Sequence, residues 1–216
     1  MPELGYYPYL RFPVWFSAPS GFSRVIEDLW NRHYPGLYED PAGRPPSNLD
    51  EAFQALLGLL WTEGSNVGHQ RCLWAGWAAG KACQATIEGW RAGDPRPQLV
   101  QAAVQTFLEY GRIPSTGWRA TFPQLVSPPQ ALHEALDVFW NLARMLDPLE
   151  ARPAFIEILE DSIEGYGIVP GSQGKRDIFN WFLVEVMPAA WSLRLPDRIY
   201  SLKWPWPPPD EHATKT

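Results

Sequence analysis

The chain has 216 residues, 45% of them hydrophobic and 19% charged, which is enough apolar side chain for one large core or two small ones and excludes wholesale disorder. Its 24 Asp and Glu outnumber 18 Lys and Arg for a net charge of −6, and the basic residues are scattered, which speaks against nucleic-acid phosphates and anionic lipids as partners. Every long apolar stretch is broken by charge or proline, and Met1-Pro2-Glu3 lacks the basic region and apolar run of a signal peptide, so neither membrane span nor export is expected.

Residues 1–19 interleave Tyr6, Tyr7, Tyr9, Phe12, Trp15 and Phe16 with Pro8, Pro13 and Pro19 and read as an extended arm, with room for a short edge strand. A helical domain is expected over 20–197. Its first helix, Ser23 to Arg32, carries Val25, Ile26, Leu29 and Trp30. The second follows Ser47, which with Asp50 three residues on makes a capping-box-like start, and places Leu49, Phe53, Leu56, Leu57 and Leu60 on one face.

The third helix, Gly68 to Arg91, is long and rich in small residues. Gly76 and Gly80 are four apart with Ala75, Ala79 and Ala82 beside them, a pattern that lets another backbone come close. It also holds both cysteines. Cys72 and Cys83 are eleven residues apart on one helix, roughly 16 Å at 1.5 Å per residue, too far for a disulfide. Reduced thiols favour the cytoplasm.

The fourth helix starts at Asp94-Pro95, an N-cap followed by proline, and is expected to bury Leu99, Val100, Ala103, Val104 and Phe107. The fifth follows Ser127-Pro128-Pro129-Gln130 and stacks Leu132, Leu136, Phe139, Trp140, Ala143 and Leu146. The sixth, Pro153 to Glu164, turns Phe155, Ile158, Leu159 and Ile163 inward. The seventh, Lys175 to Met187, is apolar nearly all round and is expected at the centre of the bundle, with Pro188 ending it. From 198 to 216 a second arm carries Trp204 and Trp206 ahead of Pro207-Pro208-Pro209, a polyproline II signal. The fold expected is all-α: a single-domain bundle of about seven helices with extended Pro/aromatic-rich arms.

An internal echo runs through this plan. Pro97 to Pro114 closes as Tyr110-Gly111-Arg112-Ile113-Pro114, and Pro153 to Pro170 closes as Tyr166-Gly167-Ile168-Val169-Pro170 with identical spacing. Leu99 matches Phe155, Val100 matches Ile156 and Phe107 matches Ile163. Pro45-Pro46-Ser47-Asn48-Leu49 echoes Pro128-Pro129-Gln130-Ala131-Leu132 in the same way. Convergent capping chemistry and an old duplication of a helical hairpin both account for it.

The chemistry in the sequence is sparse. Gly171-Ser172-Gln173-Gly174-Lys175-Arg176 resembles a phosphate loop in outline only: Val169 and Arg176 stand where a P-loop needs glycine and Ser or Thr, and a helix precedes it. What survives is a helix start with Lys175 and Arg176 able to hold an anion, or else Ser172 as a cap with the two cations paired to the acidic helix before it. That helix carries Glu157, Glu160, Asp161 and Glu164 at helical spacing, read as a carboxylate row opposite its apolar face. Among the histidines, His33, His69, His133 and His212, only His69 with Cys72 and Glu63 approaches metal-ligand spacing, and no second pair completes a set. No catalytic triad, cofactor motif or metal site is indicated.

These observations favour a non-enzymatic helical protein-binding module, of the kind that serves as an adaptor, an assembly factor or a toxin-neutralising immunity protein. Its candidate surface comprises Glu157, Glu160, Asp161, Glu164, Tyr110, Tyr166, Ser172, Lys175 and Arg176. Two alternatives stand beside it: a small-molecule binder or unfamiliar enzyme with a pocket between helical halves near Tyr110, Tyr166 and Lys175, and a structural subunit that assembles through its arms.

Overall fold

A computed structural model describes residues 10–37, 48–61, 66–113, 129–167 and 175–199. Among them every regular element is helical: α1 (Phe22–His33), a 3-10 turn (Tyr34–Leu37), α2 (Asp50–Leu60), α3 (Asn66–Trp90), α4 (Arg96–Tyr110), α5 (Gln130–Arg144), α6 (Ala151–Gly167), α7 (Lys175–Trp181), a π turn (Phe182–Val186) and α8 (Met187–Trp191). No strand accompanies the N-terminal arm in the described residues. No helix among them is long and apolar enough to cross a membrane.

The small residues of α3 make it the hub, touching α2, α4, α5, α6 and α8. A Cβ on Gly76 would sit 3.0 Å from Met145 Sδ and 3.2 Å from Leu142 Cδ1, and one on Gly80 would sit 3.1 Å from Leu142 Cδ2. The glycines thus let α5 lie against the α3 backbone, as their spacing predicts. Phe139, Leu142, Phe155, Ile158 and Leu159 fill the space between α3, α5 and α6. The buried residues of all these helices form one continuous core. Cys72 and Cys83 are both free and buried within it.

Several expectations are corrected by packing. Pro188 does not end the last helix. The backbone widens over Phe182–Val186, where Met187 N–H reaches back to Phe182 O, and the wider turn accommodates a proline that has no N–H and whose ring would clash with a normal α-turn carbonyl. Helicity then continues to Trp191. α7 is buried as its composition predicts, but α3 has the broader set of neighbours.

Leu99 and Trp140 are 41% and 45% exposed, not core. The inner face of α4 is Val100, Ala103 and Val104, one position round from Leu99, and α5 turns Val138 inward beside Phe139 in place of Trp140. Leu49 holds the N-cap of α2 without a side-chain cap, and just ahead of it Asn48 Oδ1 accepts from Asp50 N at 2.9 Å; Ser47 lies outside the described residues. The echoed positions also differ in burial. Leu99 is exposed where Phe155 is buried, and Val100 is buried where Ile156 is only partly so. Gly111 takes the left-handed cap conformation, φ 65°, while Gly167 still belongs to α6. The echo in sequence is therefore matched neither in burial at these positions nor in the place of the two glycines in their helices.

Candidate functional site

Two places concentrate chemistry among the described residues: a polar seam between α5 and α6, and an apolar groove where the N-terminal arm meets α1, α2 and α8.

On α5, Glu134, Asp137, Asn141 and Arg144 recur at three- and four-residue steps, so they share a face. On α6, Glu157, Asp161 and Glu164 do the same. The helices run antiparallel and these stripes meet. Arg144 Nη1 donates to Glu157 Oε2 at 2.6 Å, and its Nη2 reaches Glu150 Oε2 at 2.8 Å. One step along, Asn141 Nδ2 donates to Asp161 Oδ2 at 3.0 Å. At the other end Gly165 lets Glu134 come close, since a Cβ there would stand 3.0 Å from Glu134 Cβ, and Lys175 pairs with Glu164.

Cations thus hold both ends of the seam. Among the described residues no Lys or Arg pairs with its middle: Asp137 meets His133, Nδ1 to Oδ2 at 3.1 Å, with the imidazole on the solvent side, and Asp161 accepts from the Asn141 amide. Burial, followed by the facing Asp137, Glu134 and Glu160 carboxylates, pushes the Asp161 carboxyl up to about 8 despite the Asn141 hydrogen bond. Burial also raises Glu134 and Asp137 above the usual carboxylate range. The acidic row is therefore not the solvated face that spacing suggested. Asp161 is turned into the helix interface, Glu157 and Glu164 are engaged in ion pairs, and Glu160 is left exposed.

The remaining candidate residues scatter. Lys175 goes to Glu164, as one sequence reading had it, but Arg176 turns away to α1 and the 3-10 turn, donating from Nε to Tyr34 O at 2.9 Å and stacking over the Tyr34 ring. Tyr110 is 66% exposed at the end of α4 with Arg112 across its ring, so it does not pack back on its helix. The Tyr166 side chain and Ser172 lie outside the described residues. Glu134, Asp137, Asn141 and Arg144 were missed in the sequence, although their heptad-like spacing matched that of the α6 acids.

Metal and nucleophile chemistry find little footing in this arrangement. His133, Glu134 and Asp137 bring one donor atom each within 4.8 Å of one another, but His133 is exposed and turned to Asp137, and acidic groups of this sort on one helix commonly hold no cation. His69 is buried between Trp61 and Phe107 and donates from Nε2 to Met145 O at 2.6 Å, and burial lowers its basicity. Cys83 is pushed up to about 12 by burial, and Cys72 is raised too, so both thiols are inert at neutral pH.

The groove is different in kind. Pro19, Val25, Leu59 and Trp191 line it over the buried Phe22, and Gly58 adds no side chain to the lining of a volume of about 450 Å3. A Cβ on Gly58 would meet nothing within 4 Å, so the helix gives up packing there and opens onto the groove. Ser20 is the only polar side chain in the lining. Trp191 is held by Arg71, whose guanidinium lies 3.5 Å from the ring centroid and donates to Trp191 O.

Residues 12–16 and 191–197 converge beside it. Phe12 and Phe16 pack on Phe22, which packs on Trp191, and Trp15 Nε1 donates to Asp197 Oδ2 at 2.7 Å under the Arg194 guanidinium. Leu193, next to Arg194, has φ 54° and is 38% exposed. It occupies the left-handed cap position that glycine usually fills, with Arg194 N bonded back to Ala189 O. Val14, next to Trp15, is 95% exposed.

Comparison with protein-family models, with curated proteins and with solved structures gives no match in any of the three.

Proposed function

We propose that this protein is a helical protein-binding module, of the adaptor, assembly-factor or immunity type, and that it recognises an apolar, aromatic-containing peptide segment through the groove between α1, α2 and Trp191. The observation that carries this is the groove's lining: the Trp191 ring, a proline and aliphatic side chains beside an exposed glycine and over the buried Phe22, without a charge. Such a surface gains free energy by burying apolar side chains and offers little to orient a polar substrate. Leu193 supports it. A leucine held at positive φ costs about 1–2 kcal/mol, and strain retained at an exposed apolar residue beside a groove points to a role outside folding.

The acidic row of α6 is not the recognition face in this reading, because its carboxylates are committed to α5 and Lys175. The test is affinity capture from extract with the wild-type chain and Gly58→Trp, which fills the groove from a position with free space. Gly58→Ala serves as the control for helix content. Partners retained by the wild type and by Gly58→Ala but lost from Gly58→Trp are expected. An identical partner set on all three removes the groove from the reading, and retention of no macromolecule removes the reading itself.

A further inference from the structure

We propose that residues 10–18 form a displaceable strap: in the resting protein Phe12 and Phe16 cover the Phe22 end of the groove, and an aromatic peptide segment takes their place when the strap swings away. The proposal rests on the groove being a peptide-binding surface and adds the contact that an incoming segment has to displace. It follows from what covers Phe22, from how that cover is held, and from where it can turn.

Phe22 belongs to the groove lining and is nonetheless buried. Its cover is aromatic. The Phe16 ring centroid stands 4.9 Å from it and that of Phe12 5.8 Å, both edge-on, while Trp191, which also lines the groove, lies at 5.6 Å. Phe12 and Phe16 meet each other at 5.6 Å and are themselves only partly buried. Two phenylalanines on a segment without helix or strand thus already sit against the groove, and they have the chemistry that the groove reading assigns to a partner.

The strap is held through side chains. The one backbone–backbone hydrogen bond that residues 10–18 make among the described residues is internal, Phe16 N–H to Pro13 O at 3.0 Å. Their polar tie to the bundle is Trp15, whose Nε1 donates to Asp197 Oδ2 at 2.7 Å; the Arg194 guanidinium lies 4.4 Å from the Trp15 ring centroid and pairs with the other oxygen of Asp197. That carboxylate is half exposed, so water competes for it and the latch is weak. A segment with few buried contacts and no backbone ladder opens at lower cost than the helices it covers.

Gly21 supplies the turning point. It joins the strap to α1, is exposed, has φ 85°, and a Cβ on it would meet nothing within 4 Å. Glycine takes either sign of φ at little cost, so the strap can turn there while α1 stays packed. Turning it lifts Phe12 and Phe16 together, uncovers the Phe22 ring, and lengthens the groove from Trp191 into the space the strap leaves.

The experiment uses full-length protein and a fluorescein-labelled peptide of residues 10–18, read by anisotropy, with circular dichroism melts to establish that each variant is folded. Asp197→Ala removes the acceptor of Trp15 at an exposed position and is expected to bind the peptide about threefold more tightly than the wild type, because the resident strap competes less. Phe12→Ser/Phe16→Ser removes the covering rings and is expected to bind it at least about tenfold more tightly. The same peptide with both phenylalanines replaced by serine is expected to bind none of the three proteins. Should the double substitution unfold the chain, Asp197→Ala carries the test alone. Equal peptide affinity in the wild type and Asp197→Ala, no binding to a folded double variant, or equal binding of the serine peptide would overturn the proposal. If partner capture stays sensitive to Gly58→Trp while the latch and ring substitutions change nothing, the protein-binding reading stands and only the strap is excluded.

Discussion

Asp161→Asn is expected to stabilise the protein, and to do so only where the pH is high enough. In the folded chain burial and the facing carboxylates hold the Asp161 carboxyl at about 8, against an ordinary value of 3.8. Below pH 3.8 it is protonated folded or unfolded and has no effect on the balance. Between the two values the folded state keeps a proton that the unfolded chain releases, so stability falls as pH rises, at about 1.4 kcal/mol per unit for a lone group. Above about 8 the loss levels off. By pH 7 the lone-group limit is about 4 kcal/mol. Residual water at the seam and the proximity of Asp137 and Glu134 reduce it, and we expect about 2–3 kcal/mol. Asparagine has the shape of the protonated acid, keeps an oxygen for Asn141 Nδ2, and needs no proton. Urea denaturation followed by circular dichroism at pH 3.5, 7 and 9 reads the difference: close to zero at the first, about 2–3 kcal/mol at the second and somewhat more at the third. A gain of equal size at all three, or a loss at pH 9, would refute the placement of Asp161 among unneutralised carboxylates.

Asp94 has the opposite sign. Its carboxylate is 2% exposed, accepts from Arg96 side chain and backbone, and is held below the usual range chiefly by the Arg96 hydrogen bonds; its contribution is therefore present above pH 3.8 and lost as pH falls through the lowered value. Asp94→Ala is expected to cost about 3 kcal/mol at pH 7, and much less in acid, in the same urea assay. Leu193→Gly removes the positive-φ strain and is expected to raise the urea midpoint by the equivalent of about 1 kcal/mol, while weakening capture of groove partners. Cys72 and Cys83 are expected to react with a thiol reagent at pH 8 only through global opening, so the labelling rate should rise with denaturant in step with unfolding; fast labelling in native buffer would contradict their burial.

The helices themselves were legible because each is written in local chemistry. The alternation of apolar residues over Leu132, Leu136 and Phe139, the small-residue stripe around Gly76 and Gly80, and the cap glycine Gly111 act within a few residues of one another, and each gave the right element or contact. Errors arose where a neighbouring helix decides. Leu99 and Trp140 lie at the edge of their apolar faces, and which edge is covered depends on how α4 and α5 lean on α3. Pro188 ends a helix by rule, yet the π turn before it is an adjustment of backbone hydrogen bonding made inside a packed core, and residue preference carries no mark of it.

The acidic row shows the same limit in the electrostatics. Read alone, Glu157, Asp161 and Glu164 are four and three apart opposite an apolar face, which is the pattern of a solvated stripe. Read with Glu134, Asp137, Asn141 and Arg144, they are half of an interhelical seam, and the telling residue is Gly165, one turn beyond Asp161. Glycine in a helix interior costs about 1 kcal/mol relative to alanine, and here it admits Glu134 from the facing helix. Gly58 carries the same cost in α2 and admits nothing from the described residues. The two glycines are alike in sequence and differ in what lies across from them: one is explained by the fold, and the other opens onto an apolar groove and meets nothing within 4 Å among the described residues. That contrast, more than the charge pattern, is why we place the proposed binding face at Gly58 and not on the acidic helix.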